Sequence, residues 1–160
     1  MNDYPLATLR KIREQERDLA EQAYAETLRD QERLAAQVRQ EEARLESARQ
    51  AVVSAQEEAR RARSGDEILM TDIGLHREFE RALKDDVVRA EESVRTAERA
   101  AQEHQKSVVQ EALKAFQEAQ KAVMAVEKHF EGWKAEQDLE ADRKAADALD
   151  EIAIRGWSKQ

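Results

Sequence analysis

SGDEILMTDIG, running from Ser64 to Gly74, separates two long stretches that contain neither Gly nor Pro: Leu6 to Arg63 and Leu75 to Glu131. Gly and Pro are the residues that most readily end a helix. Two stretches free of them, rich in Ala, Glu, Arg and Gln, predict two long helices with one bend between them. The expected fold is all-α: a long antiparallel two-helix coiled-coil hairpin with an overhanging C-terminal helix. Helix 1 is expected over about 6–63, the tip over 64–74, and helix 2 over about 75–155. The whole chain, 1–160, reads as a single hairpin domain. Arms of this length predict a rod of roughly 85 Å at about 1.5 Å per residue.

The tip is not a purely polar loop. It holds two Gly and three acids, but also Ile68, Leu69, Met70 and Ile73. These four either close the open end of the apolar seam or form an adhesive tip that contacts a partner.

Working outward, the periodicity supports two paired helices. In the first arm Leu6, Leu9, Ile12 and Leu19 recur at helical spacing. Val38, Leu45, Val52 and Ala59 then fall seven apart, with Ala48, Ala55 and Ala62 three residues after the last three of them, which is a heptad seam. Between Ala20 and Leu34 the stripe drifts. Ile12, Ala23, Leu34 and Leu45 are spaced by eleven there, predicting a local departure from left-handed supercoiling. In the second arm Phe79, Leu83 and Val87 begin the stripe. Val87, Val94, Ala101 and Val108 carry it on at seven, with Ala90, Ala97 and His104 between. The register then slips. From Ala112 it resumes through Phe116, Ala119, Val123, Val126, Phe130 and Trp133. An antiparallel fold places Leu9 opposite about His129 and Leu6 opposite about Gly132. The bulkiest packing is therefore expected where the two ends of the chain meet. Tyr4 and Pro5 precede the first helix, with Pro suited to its first turn and Asp3 placed to cap it.

The arms are unequal. Residues from about 133 to 155 have no partner left in the first arm, yet Leu139, Ala146, Leu149, Ile152 and Ala153 still make an apolar stripe. Isolated helices of that length are marginal in water. The stripe calls for a partner protein that buries it, or else the segment is a frayed tail.

Composition narrows the function. Charged residues are 39% and aromatics 4% of the chain. That balance fits a thin seam between charged helices rather than a three-dimensional core. The net charge of -8 is built from 35 acidic and 27 basic residues, mixed at short range. Nucleic-acid binding needs a concentrated basic face, and the densest basic run, Arg60, Arg61 and Arg63, reads better as complementing a helix C-terminus. There is no Cys, hence no disulfide or thiol chemistry, as in a reducing compartment. The longest apolar run is Ile68, Leu69 and Met70, too short for membrane insertion. MNDYPLATLRK lacks an apolar signal core, so the chain reads as cytoplasmic. His76, His104 and His129 are too far apart in a hairpin to share a metal. No HExxH, CxxC or glycine-rich phosphate loop is present. Adjacent acids such as Asp85–Asp86 and Glu91–Glu92 diverge around a helix. The reading is of a protein that is not an enzyme, with no catalytic residues, no cofactor and no metal.

Both ends carry a further signal. The first arm begins YPLATLRKIREQERDLAEQA, and the second ends EADRKAADALDEIAIRGW, whose DE-x-A-x-R string runs from Asp150 to Arg155. In length, hairpin, unequal arms and both end segments the chain resembles the FliJ and YscO (SctO) proteins, the central stalk of flagellar and virulence type III secretion ATPases. The resemblance implies helical termini inserted into the pore of a hexameric secretion ATPase, at the base of a bacterial secretion apparatus. It implies a non-catalytic part that promotes assembly and activity of the ring and links it to the cytoplasmic domain of the export gate protein, with secretion chaperones as further partners. An asymmetric rod in a sixfold ring would touch its subunits unequally and bias which site closes on nucleotide. On that reading Asp147, Asp150, Glu151 and Arg155 supply polar contacts to the ring, and Leu6, Leu9, Leu149 and Ile152 the apolar ones. Arg155 and Glu151 are equally readable as an exposed i, i+4 pair. Two other functions fit the residues: a coiled-coil structural spacer, and an export or escort chaperone that wraps secretion substrates with its apolar tip and tail.

Overall fold

The computed structural model describes residues 3–65 and 70–157. These residues are all-α, with no strand among them. Helix α1 spans Ala7–Arg63, α2 spans Met70–His104, a π-helical turn covers Gln105–Val109, and α3 spans Gln110–Trp157. The described chain divides into two compact units. One joins residues 1–23 to 113–160, and the other is 24–112.

The start of α1 follows from Pro5, whose fixed φ suits a first turn. The turn closes through Ala7 N–H to Tyr4 O at 3.1 Å and Arg10 N–H to Leu6 O at 2.9 Å. Asp3, expected as the cap, is exposed, and the turn closes on backbone carbonyls instead. At its other end the helix stops on Ser64, whose N–H and Oγ both donate to Arg61 O, at 3.2 and 2.7 Å. Arg60, Arg61 and Arg63 lie in this last turn, where cations complement the partial negative charge of exposed carbonyls.

Helix α2 starts earlier than the sequence predicts. Met70, Ile73 and Gly74 are helical, so Gly74 does not bound the tip. A glycine inside a helix costs only about 1 kcal/mol relative to alanine, and Ile73 and His76 give the first turns a partly covered face. Ile68 and Leu69 lie outside the described residues.

The least exposed positions of α1 run Arg13, Arg17, Ala20, Tyr24, Thr27, Gln31, Leu34, Val38, and on through Leu45, Val52, Ala55 and Ala59. Steps of four and three alternate without interruption. The expected drift between Ala20 and Leu34 is therefore absent, and Ile12 and Leu19 are off the seam, 44% and 66% exposed. Ala23 and Ala62 are exposed as well. Arginine explains the difference. Its aliphatic stem covers apolar surface while the guanidinium reaches water, so Arg13 and Arg17 occupy seam positions that apolar counting assigns to Ile12 and Leu19.

In unit 24–112 the opposing row is Ile73, His76, Glu80, Leu83, Val87, Ala90, Val94, Ala97, Ala101 and His104. Phe79, expected to begin the stripe, is largely exposed beside it. Glu80 takes the seam position because its carboxylate has partners there: Gln56 Nε2 donates to it at 2.7 Å, and Lys84 Nζ lies at 2.7 Å. Those two groups hold the Glu80 carboxyl below the usual glutamate range, the Lys84 hydrogen bond being the larger cause. Further links are Arg49 to Glu91 at 3.1 Å, and Gln31 to Ala101 and His104. As the first partner's number rises, the second partner's falls.

The register slip in the second arm has a physical form, the π turn. After His104 the next buried residue is Val109, five positions on, and Ala112 follows. Val109 is 3% exposed, and Val108, the expected seam residue, 43%. A π turn takes one residue more than an α turn. The heptad rows before and after are out of phase by one residue, and the wide turn absorbs it.

Candidate functional site

Two neighbouring features of unit 1–23/113–160 compete for function, and the first is structural. Val123 and Val126 are buried at the centre of the row that Phe116, Ala119, Phe130 and Trp133 continue. Tyr4 lies against it. Its ring centroid is 5.0 Å from Phe130 in an edge-on arrangement, 5.3 Å from Trp133 and 5.8 Å from His129. Phe130 and Trp133 stack at 6.0 Å. Edge-on and offset ring pairs add about 0.5–1.5 kcal/mol each beyond burial. The Tyr4 hydroxyl is 2.9 Å from His129 Nδ1, to which it donates when the imidazole is neutral with its proton on Nε2. Arg10 sits 4.9 Å over the Phe130 ring and reaches Glu127 at 4.0 Å. Its Nε lies 3.2 Å from Glu14 Oε1 but is buried without an aligned acceptor. The cluster fixes the residues before α1 onto α3.

Sequence reading placed Phe130 and Trp133 in this packing and passed over Tyr4 and Arg10. The pairing that sets Leu6 opposite Gly132 already implied that a residue just before α1 would meet the Phe130–Trp133 turn. Leu6 and Leu9, expected as ring contacts, are half-buried here.

The second feature follows directly along α3. From Asp138 to Trp157 every residue is exposed. Leu139, Leu149, Ile152, Ile154 and Trp157 all carry more than half of their surface in the open, Leu149 and Ile152 at 67% each. Ala145, Leu149 and Ile152 recur at four and three, so they share one helix face. Arg155 flanks that face, whereas Asp147 and Asp150 lie towards the opposite side of the helix. Arg155 donates to Glu151 at 3.1 Å. The same spacing ties Lys144 to Glu140 at 2.8 Å, and this lysine keeps the Glu140 carboxyl below its ordinary range. Such pairs, acid first, give an exposed helix modest support. The predicted residues Asp147, Leu149, Asp150, Glu151, Ile152 and Arg155 thus lie within three turns of one exposed helix. Of the predicted tip contacts, Met70 is exposed and Ile73 half-buried.

The histidines stay apart. Gln31 Nε2 donates to Ala101 O at 3.3 Å, leaving Oε1 to accept from His104 Nδ1 at 2.8 Å. His129 is engaged with Tyr4. No group of His, Cys, Asp or Glu able to hold a metal ion occurs among the described residues. No helix among them is long and apolar enough to cross a membrane. No family model matches the chain, and no curated protein or solved structure matches it either.

Proposed function

We propose that the chain is an antiparallel hairpin stalk that works by contact, and that its partner is a hexameric type III secretion ATPase. The observation that carries this reading is the stretch 138–157: a helix exposed at every position, with Leu149 and Ile152 on one face and charged residues beside them. It follows directly on the cluster that anchors Tyr4. A lone helix of this kind gains little stability by itself, and an apolar face without cover is the mark of a protein contact. The resemblance of the end segments to FliJ and YscO supports the choice of partner. Support for the hairpin comes from the falling partner numbers, Gln31 with His104, Arg49 with Glu91 and Gln56 with Glu80. In this reading the stalk breaks the equivalence of the ring's subunits, promotes hydrolysis, and links the ring to the export gate from the cytoplasmic side.

The experiment is hydrolysis by the cognate secretion ATPase with and without the purified chain. Stimulation by the full chain, and its loss on deleting Leu139 to Gln160, is the expected result. No effect of the full chain on a verified cognate ATPase contradicts the proposal. The escort-chaperone reading has its own observation in Met70, Leu75 and Phe79, all largely exposed on the first turns of α2. It predicts binding of unfolded export substrates in the absence of ATPase binding.

A further inference from the structure

The π turn between α2 and α3 places two valines side by side, one covered and one not. Val109 is 3% exposed and Val108 43%. The positions around them fix how the extra residue can be absorbed. His104 and Ala112 are both half-buried on the seam, and eight residues separate them where an unbroken seam has seven. One solution is the observed one, steps of five and three through Val109, with the surplus concentrated in one wide turn. The other is two steps of four through Val108, with Phe116 a further four along. That spreads the same surplus over about three slightly unwound turns, as insertions in heptad sequences can do.

The sequence makes these solutions nearly equivalent. Both bury one valine. Both keep Ala101, His104, Ala112 and Phe116 on the seam. Both keep the Gln31 bonds to Ala101 and His104, which lie before the point of divergence. Val123, 4% exposed, has no second valine beside it: its neighbours are Ala122 and Met124. We propose that Gln105–Val109 is a two-state joint, in which the helix exchanges a localised π turn with Val109 buried for a spread, unwound segment with Val108 buried. The joint lets the second arm change its winding without uncovering a seam residue. This inference is independent of the identity of any partner.

Thermal unfolding of four variants of the full chain tests it, with Val123→Ala as the measure of losing a seam valine that has no substitute. In a two-state joint Val109→Ala lowers Tm by less than half as much as Val123→Ala, because Val108 takes the vacated position. Val108→Ala alone leaves Tm nearly unchanged. The double variant Val108→Ala/Val109→Ala loses as much as Val123→Ala, more than its two singles together. Deleting Ser107 removes the surplus residue and fixes Val109 on the seam. In that background Val109→Ala loses as much as Val123→Ala and the substitution of Val108 makes no further difference. The proposal is overturned if Val109→Ala in the full-length chain already costs at least half as much as Val123→Ala, or if the double variant is no worse than its singles combined.

Discussion

Helix α3 carries two apolar rows, and only the first is covered. From Phe116 to Trp133 the row is buried or half-buried, closed at its end by Tyr4 and Arg10. From Leu139 to Trp157 the large apolar side chains Leu139, Leu149, Ile152, Ile154 and Trp157 stand in the open. No proline or change of helix type separates them. The difference lies in what packs against the helix, not in the helix. A covered row contributes to stability, and the proposed function gives the uncovered one to recognition, so the same substitution should act on different observables in the two halves.

The largest effect is expected at the covered row. Phe130→Ala removes an aromatic ring in contact with Tyr4, Trp133 and Arg10, and should cost about 3 kcal/mol in chemical denaturation. A loss under ~1 kcal/mol would mean that the cluster does not anchor the chain start. Tyr4→Phe keeps the ring and removes the bond to His129. It should cost about 1 kcal/mol, separating the polar from the aromatic part of the contact. Gly132→Ala should act in the opposite direction. The added Cβ meets nothing within 4 Å, so stability should rise by up to about 1 kcal/mol from helix propensity. In the uncovered row, Leu149→Ala and Ile152→Ala should shift stability by less than ~0.5 kcal/mol. A large loss of stability there would erase the distinction between the halves.

Acidification gives the smallest effect. The carboxyls of Glu140 and Glu80 have their folded-state values lowered by Lys144, and by Lys84 with Gln56. A lowered carboxyl value means that the stabilisation is present above the ordinary glutamate range and is lost as pH falls through the folded-state value. Both groups are solvent-screened, so the loss should be slight. For Glu140 it should disappear in Glu140→Gln, as read by helical content across an acid titration.

How much of this was legible in the sequence differs along the molecule for physical reasons. The row Ala112 to Trp133 could be read directly, because its seam positions are Phe, Val, Ala and Trp and the flanking ones are mostly charged or amide residues. The first turns of α1 could not, because arginine stems fill seam positions while Ile12 and Leu19 face outward. Periodicity revealed that the register slips after His104 but not which valine is covered, since Val108 and Val109 differ only in how the backbone is wound. Gly74 reads as a boundary in the sequence but is helical, because propensity alone is a weak constraint against the partly covered face of α2. At the candidate contact site, sequence located the stripe around Leu149 and Ile152. It could not show that Leu6 and Leu9 are half-buried while Leu149 and Ile152 stand in the open.

The central claim is that 138–157 is a contact surface and 116–133 a structural one. It is tested most directly by ATPase stimulation measured for the chain deleted from Leu139 to Gln160, with the stability of the remaining chain followed in parallel. The account predicts an unfolding midpoint close to that of the full chain and no stimulation of the cognate secretion ATPase. Full stimulation by the shortened chain would contradict it.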